Sequence, residues 1–197
     1  MMSGFCLFDN DLPCEVEYGG ETYPINSDFR DWMRFEILML DKDVPDRVKP
    51  MLANRLIFPA VPPADTTKFL LWFYNPFSGG KEQKKKTNRK NQPYSFEHDE
   101  ALIFAAFMQC YHIDLCIVKM HWWKFRALFD SLPDETKLRK VMGYRVMDID
   151  EKKMGAERAR YFRELKDHYR LPRSLSEQQK IDEMKRILAN RKAQDNT

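Results

Sequence analysis

Eight consecutive apolar residues, Ala101 to Met108, constrain this chain more than any other stretch. A helix through them is apolar on every side, and such a helix belongs inside a core. The run therefore predicts the central helix of a domain. Ser95 is placed to cap it, with Glu97, Asp99 and Glu100 at the positive end of its dipole. The rest of the chain can cover it. In 197 residues, 43% are hydrophobic, including 14 Phe, 8 Tyr, 4 Trp and 11 Met. A chain of this size closes a core without covalent staples, and its composition excludes a disordered polymer. Only 7 glycines argue against a turn-dense β protein.

The periodicity elsewhere predicts about seven helices and one hairpin. Glu15 to Tyr18 and Glu21 to Pro24 alternate around Gly19-Gly20, a pair able to supply the positive φ angles of a two-residue turn. Asn26-Ser27-Asp28 opens a helix with Phe29, Trp32, Met33, Ile37 and Leu40 at helical spacing. A second helix begins near Pro45-Asp46 and a third after Pro63, carrying Phe69, Leu70 and Trp72. Residues 113–119 are ambiguous. Trp122, Phe125, Phe129 and Leu132 form one stripe of a helix. Pro133 starts a short helix that Gly143 is placed to end in a left-handed cap. Asp148 with Glu151 and Ser174 with Glu177 resemble capping boxes. The first opens a helix over 149–170 with Tyr161, Phe162, Leu165 and Tyr169. The second opens a terminal helix over 175–190 with Leu175, Ile181, Met184 and Leu188 as its apolar positions. The expected fold is a mainly α single domain over 1–172 with a small N-terminal β-hairpin, followed by a C-terminal amphipathic helix and tail over 173–197. No internal repeat is visible.

Charge is concentrated rather than large. The window 79–93 interrupts the domain and holds Lys81, Lys84, Lys85, Lys86, Arg89 and Lys90 against Glu82, more than the whole net charge of +3. It lacks apolar periodicity and reads as a solvated loop. Six cations attract polyanions at low salt. Yet no aromatic residue lies between Phe77 and Tyr94 to stack on bases, so nucleic-acid association is the lesser alternative. The four cysteines form no CxxC. The start carries no basic region and soon meets Asp9 and Asp11, unlike a secretory signal, and no apolar run reaches the roughly 20 residues a membrane helix needs. Together these predict a cytosolic protein with free thiols.

Catalytic motifs are missing. There is no GxSxG, HExxH, Walker loop or GxGxxG, and Gly79-Gly80-Lys81 lacks both the ending and the preceding strand of a phosphate loop. Cys110, His112, Cys116 and His121 are all metal-ligand types, but their spacing matches no familiar zinc pattern. The two cysteines read better as buried thiols acting as small hydrophobes. Glu97 to Glu100 sit on four different sides of a helix and cannot converge on one ion. No metal, cofactor or enzymatic activity is expected. Trp122 and Trp123 lie about 100° apart on a helix. Trp122 belongs to the core stripe. Trp123 with Arg126 is either a surface anchor or, more in keeping with so aromatic a chain, further core.

Four words then occur in order: Tyr23 to Arg30 (YPINSDFR), Leu71 to Tyr74 (LWFY), His121 to Phe129 (HWWKFRALF) and Lys140 to Arg145 (KVMGYR). In these the chain resembles the bacteriophage gene-product-fifteen family, small proteins of phages with long non-contractile tails, over about Leu12 to Pro172. The family is typically encoded just ahead of the tape-measure protein. The resemblance implies a tail assembly chaperone that coats the tape-measure protein in the host cytoplasm until tube subunits arrive, and that is absent from the mature virion. It implies the tape-measure protein as partner, with the major tail tube protein and an upstream tail chaperone as further candidates, and it supplies no catalytic residues. The helices over 149–170 and 175–190 can offer a groove or pair with a neighbouring copy. Candidate anchors are Trp123, Arg126, Tyr161 and Tyr169. The insertion at 81–90 and the segment after Pro172 fall outside the family words and inherit no role.

The loop reading has a direct consequence. Replacing Lys81 to Asn91 by a short Gly/Ser linker is expected to change unfolding free energy by no more than about 0.5–1 kcal/mol. A urea melt checks this, and a collapse of the melting temperature by tens of degrees would refute it.

Overall fold

A computed structural model describes residues 11–60, 62, 66–77, 92–172 and 179. Among them the chain forms β1 (Glu15–Tyr18), β2 (Glu21–Pro24), α1 (Phe29–Leu40), α2 (Lys49–Ile57), α3 (Thr67–Tyr74), α4 (Glu100–Tyr111), α5 (Trp122–Asp130), α6 (Lys137–Val146), α7 (Glu151–Met154) and α8 (Ala156–His168). The mainly helical fold with an N-terminal hairpin is as expected. The basic insertion and the segment over 175–190 lie outside the described residues.

The hairpin pairs antiparallel, with Tyr18 facing Glu21 across the turn. Gly19 at φ 63° and Gly20 at φ 83° both take the left-handed conformation, which a two-residue turn between right-twisted strands requires. Two strands alone are marginal in water. Here Val16 and Ile25 are buried, and Asn26 N–H, just past β2, donates to the Ile57 carbonyl of α2 at 2.7 Å, so the hairpin leans on the helical core.

The core is aromatic, and several of its rings come from the quoted words. Trp32 of α1, Phe73 of α3 and Trp122 and Phe125 of α5 are all fully buried. Trp32 stacks on Phe73 with ring centroids 4.5 Å apart, and Phe125 lies between Phe29 at 4.8 Å and Phe107 at 5.0 Å. Asp28 caps α1, its carboxylate accepting from Arg30 N–H at 3.0 Å. The segment before α1 also pairs with the segment before α5: Trp122 N–H donates to the Ser27 carbonyl at 2.7 Å and Phe29 N–H to Met120 at 2.9 Å. His121 caps α5, its Nδ1 accepting from Trp123 N–H while Nε2 lies 3.0 Å from the Pro13 carbonyl.

Several local expectations give way. Helix α4 is not surrounded. Ile103, Ala106 and Phe107 are buried, but Ala101, Ala105 and Met108 are exposed. An all-apolar sequence carries no polar side to mark which face stays outside. Its cap is Asp99, not Ser95. Ser95 sits one turn earlier, where its N–H donates to the Asp99 carboxylate at 2.9 Å. Gly143 does not end α6, which continues to Val146 with Met147 N–H bonded to the Gly143 carbonyl. Instead Gly155, at φ 85°, splits the helix expected over 149–170 into α7 and α8. Asp150 rather than Asp148 caps the first piece.

Trp123 takes the core branch of the sequence reading. It is 1% exposed, packs edge-on against Trp72 at 5.2 Å, and donates from Nε1 to the Phe73 carbonyl at 2.8 Å. It is therefore not a surface anchor. Trp123→Ala is expected to destabilise the protein by about 3–5 kcal/mol, as large-to-small changes in packed aromatic cores do. Urea unfolding measures this. A loss below about 1 kcal/mol would contradict the packing.

Candidate functional site: an apolar groove between α1 and α4

The open face of α4 forms one wall of a groove of about 550 Å³. Met33 and Ile37 of α1 form the other wall, Ala101 and Phe104 line the α4 side, and Phe29 and Phe96 lie at its floor. Leu115 and Cys116 contribute from the turn after α4. The volume lies within the usual range for binding clefts, roughly 300–1,000 Å³. Its polar rim carries both signs: Arg34 on α1, ion-paired to Asp31 at 3.0 Å, and Glu100 at the start of α4.

The groove keeps its shape because both ends are tied. At one, Arg30 lies over the Phe29 ring at 4.5 Å, pairs with Asp28 and donates from Nη2 to the carbonyls of Leu115 at 2.7 Å and Val118 at 2.9 Å. This fixes the turn over 115–118 against α1. At the start of α4, Asp99 is 3% and Arg145 9% exposed by side chain. Arg145 grips the carboxylate with both terminal nitrogens, at 2.6 and 2.9 Å. It also donates to the carbonyls of Pro93 at 3.1 Å and Tyr169 at 2.6 Å. A planar guanidinium suits such a fork. One side chain thus joins α6, the start of α4, the stretch entering it and the end of α8.

The sequence candidates do not gather at one place. Arg126 is mostly buried in a polar cluster behind α1. It donates to Tyr94 Oη at 2.8 Å and pairs with Asp130 at 3.1 Å. The Glu36 carboxylate accepts there from the hydroxyls of Tyr74 and Tyr94. Burial holds Glu36 above the usual carboxylate range, against the opposing pull of Tyr74 and Arg126. Burial also raises both tyrosines, with Glu36 adding to the shift. So Arg126 is tied into the interior, with 22% of its side chain left exposed. Tyr161 is 56% exposed on α8. Tyr169 is half-buried and stacks on Tyr144 at 5.9 Å. Lys81, Lys84, Lys85, Lys86, Arg89 and Lys90 lie outside the described residues.

The four potential ligands between 110 and 121 are spread by structure. His121 is spent as a cap, His112 closes α4 in the left-handed conformation at φ 55°, and Cys116 is exposed rather than buried. Among the described residues no three His, Cys, Asp or Glu side chains converge on a metal site. No described helix is long and apolar enough to cross a membrane. Sequence reasoning missed the groove. Its one available signal was the all-apolar character of Ala101 to Met108, which leaves something apolar outside whenever the helix is covered on one side only.

The architecture defines a mainly helical protein with an N-terminal antiparallel hairpin and an apolar groove held open between two helices. The chain belongs to the bacteriophage Gp15 family, whose model matches residues 8–171. No curated protein and no solved structure matches it.

The buried carboxylate generates a pH test. Glu36 binds its proton more tightly in the folded than in the unfolded chain. Its contribution to stability is therefore fully present below the unfolded pKa, about 4.3, and is lost as pH rises through the raised folded pKa. Glu36→Gln removes that loss. Urea unfolding at pH 5 and pH 8 should show a more favourable pH 8 to pH 5 stability ratio for the variant than for the parent. Identical pH responses would contradict the assignment.

Proposed function

We propose that this chain is a phage tail assembly chaperone that binds the tape-measure protein and keeps it soluble while the tail tube polymerises, without catalysing a reaction. It acts in the host cytoplasm and leaves before the virion is complete. Membership of the Gp15 family supports the phage setting, and the groove between α1 and α4 is the observation that carries the binding mode. A tape-measure protein is a long helical chain whose apolar stripes stay exposed until the tube encloses it. An apolar groove with a charged rim of both signs receives the i, i+3 or i+4, i+7 face of such a helix. The walls are already in place, so binding orders few groove side chains, which limits its entropic cost.

Co-expression tests the reading. The tape-measure protein should be more soluble with this partner than alone, and the two should co-purify at moderate salt. Phe104→Asp puts a charge on the groove wall at a half-buried position and should weaken the complex by tenfold or more, while Leu71→Asp, on an exposed face of α3, should leave it intact. Equal solubility with and without the partner, and no co-purification, would sink the proposal. A complex insensitive to Phe104→Asp but lost when Lys84, Lys85, Lys86, Arg89 and Lys90 are neutralised would move the contact to the basic insertion.

A further inference from the structure

The hairpin is a sheet of two strands, so each strand has an outer edge. Register decides what those edges offer. Ile25 N–H donates to the Cys14 carbonyl at 2.9 Å, which makes Cys14 and Ile25 a hydrogen-bonded pair. Along an antiparallel ladder such pairs alternate with pairs whose backbone groups point outward. Val16 with Tyr23 and Tyr18 with Glu21 therefore bond inward, whereas Glu15 with Pro24 and Glu17 with Thr22 turn their backbone groups to the edges. The two edges are unequal. On β2, Pro24 has no N–H to offer, which leaves Thr22 alone. On β1, Glu15 and Glu17 both present an N–H and a C=O, and none of the described residues pairs with them there. An open edge of this kind is a template for another strand.

The side chains say which strand. Glu15 and Glu17 are exposed on the solvent side of β1. Val16 and Tyr18 alternate to the other side, Val16 buried and Tyr18 45% exposed. A second copy joined edge to edge through β1 would set Glu15 and Glu17 against the same two carboxylates, and like charges directly opposite are destabilising. A strand with Lys or Arg opposite Glu15 and Glu17 gains opposite-charge pairs instead. An apolar residue between those cations falls beside Val16 and Tyr18.

We propose that the outer edge of β1 docks an extended segment of a partner protein as a third, antiparallel strand, with Lys or Arg at alternate positions of that segment and an apolar residue between them. Backbone bonds supply the affinity and the two carboxylates the selection. A third strand also relieves the marginal stability of a two-stranded sheet. No residue of the hairpin lines the groove between α1 and α4, so this site stands or falls independently of the chaperone reading.

The probe is the end-blocked peptide TKVRVKT, titrated at low salt into the full chain labelled with 15N. Binding should saturate. Hydrogen exchange at the Glu15 and Glu17 amides should slow by tenfold or more, while the outward Thr22 amide is unchanged. N-methylation of the peptide's arginine, whose N–H faces β1, should weaken binding by tenfold or more. N-methylation of a neighbouring valine, whose N–H faces away, should not. Glu17→Lys should weaken binding of TKVRVKT by a similar factor, and Glu15→Lys combined with Glu17→Lys should take the peptide TEVEVET in its place. The pair of methylated peptides needs no change in the protein, so a variant that fails to fold does not remove the test. Absence of binding overturns the proposal. Binding that survives both methylations overturns it as well, because that is charge attraction without strand addition. Glu15 and Glu17 amides already protected in the free chain overturn it in favour of a second copy if protection rises with protein concentration, and in favour of a segment of the same chain if it does not.

Discussion

Two adjacent buried indoles set the terms for this fold. Trp122 and Trp123 follow one another at the start of α5 and both are sealed from solvent. Each brings an N–H that must find an acceptor inside the protein, since a buried donor left unpaired costs about 1–3 kcal/mol. The acceptors are equally adjacent: Trp122 Nε1 donates to the Tyr74 carbonyl at 3.1 Å and Trp123 Nε1 to the Phe73 carbonyl at 2.8 Å. These are last-turn carbonyls of α3, which the helix itself leaves without partners. Two needs cancel, and α3 is fixed against α5 in one register. Trp32 repeats the device, donating to the Asn26 carbonyl at 2.8 Å just ahead of its own helix.

The four words in which the sequence resembles the family are therefore structural words. HWWKFRALF contains the indoles, LWFY contains their acceptors, and YPINSDFR contains the strand-like partner that α5 needs at Ser27. The last word ends in Arg145, the side chain that gathers Asp99, Pro93 and Tyr169. None of them is spent on the groove walls except through Phe29 and Arg30, which close its floor and end.

What could be read from the sequence follows the same division. The hairpin was legible because Gly19-Gly20 have one conformational use there, and the α5 stripe because period 3.6 with large rings has one burial solution. Features decided by long-range contacts were not. Gly143 and Gly155 look alike as sequence, yet Gly143 lies within a helix that continues to an Arg145 drawn to Asp99, while Gly155 meets no such partner and breaks. Cys116 looked like a core thiol between Leu115 and Ile117. The carbonyls of Leu115 and Val118 are held by Arg30, however, and that turn leaves Cys116 and Ile117 outside. Helix α4 gave the least warning, because uniform apolarity hides which side is bare. The run signals that something apolar stays outside, but not on which side, so the groove could not be placed from it.

The Arg145 clasp has a consequence beyond holding α4 in place. A buried ion pair gains little net free energy over a well-packed apolar pair, but it is intolerant of losing one partner. Here it also ties the Pro93 carbonyl, where the chain returns from the basic insertion, to the Tyr169 carbonyl, where it leaves α8. One guanidinium thus ties the residue two positions before α4's N-terminal turn begins at Ser95 to the residue that follows α8. The clasp therefore fixes where α4 begins, and with it one wall of the groove, from a residue that does not itself line the groove.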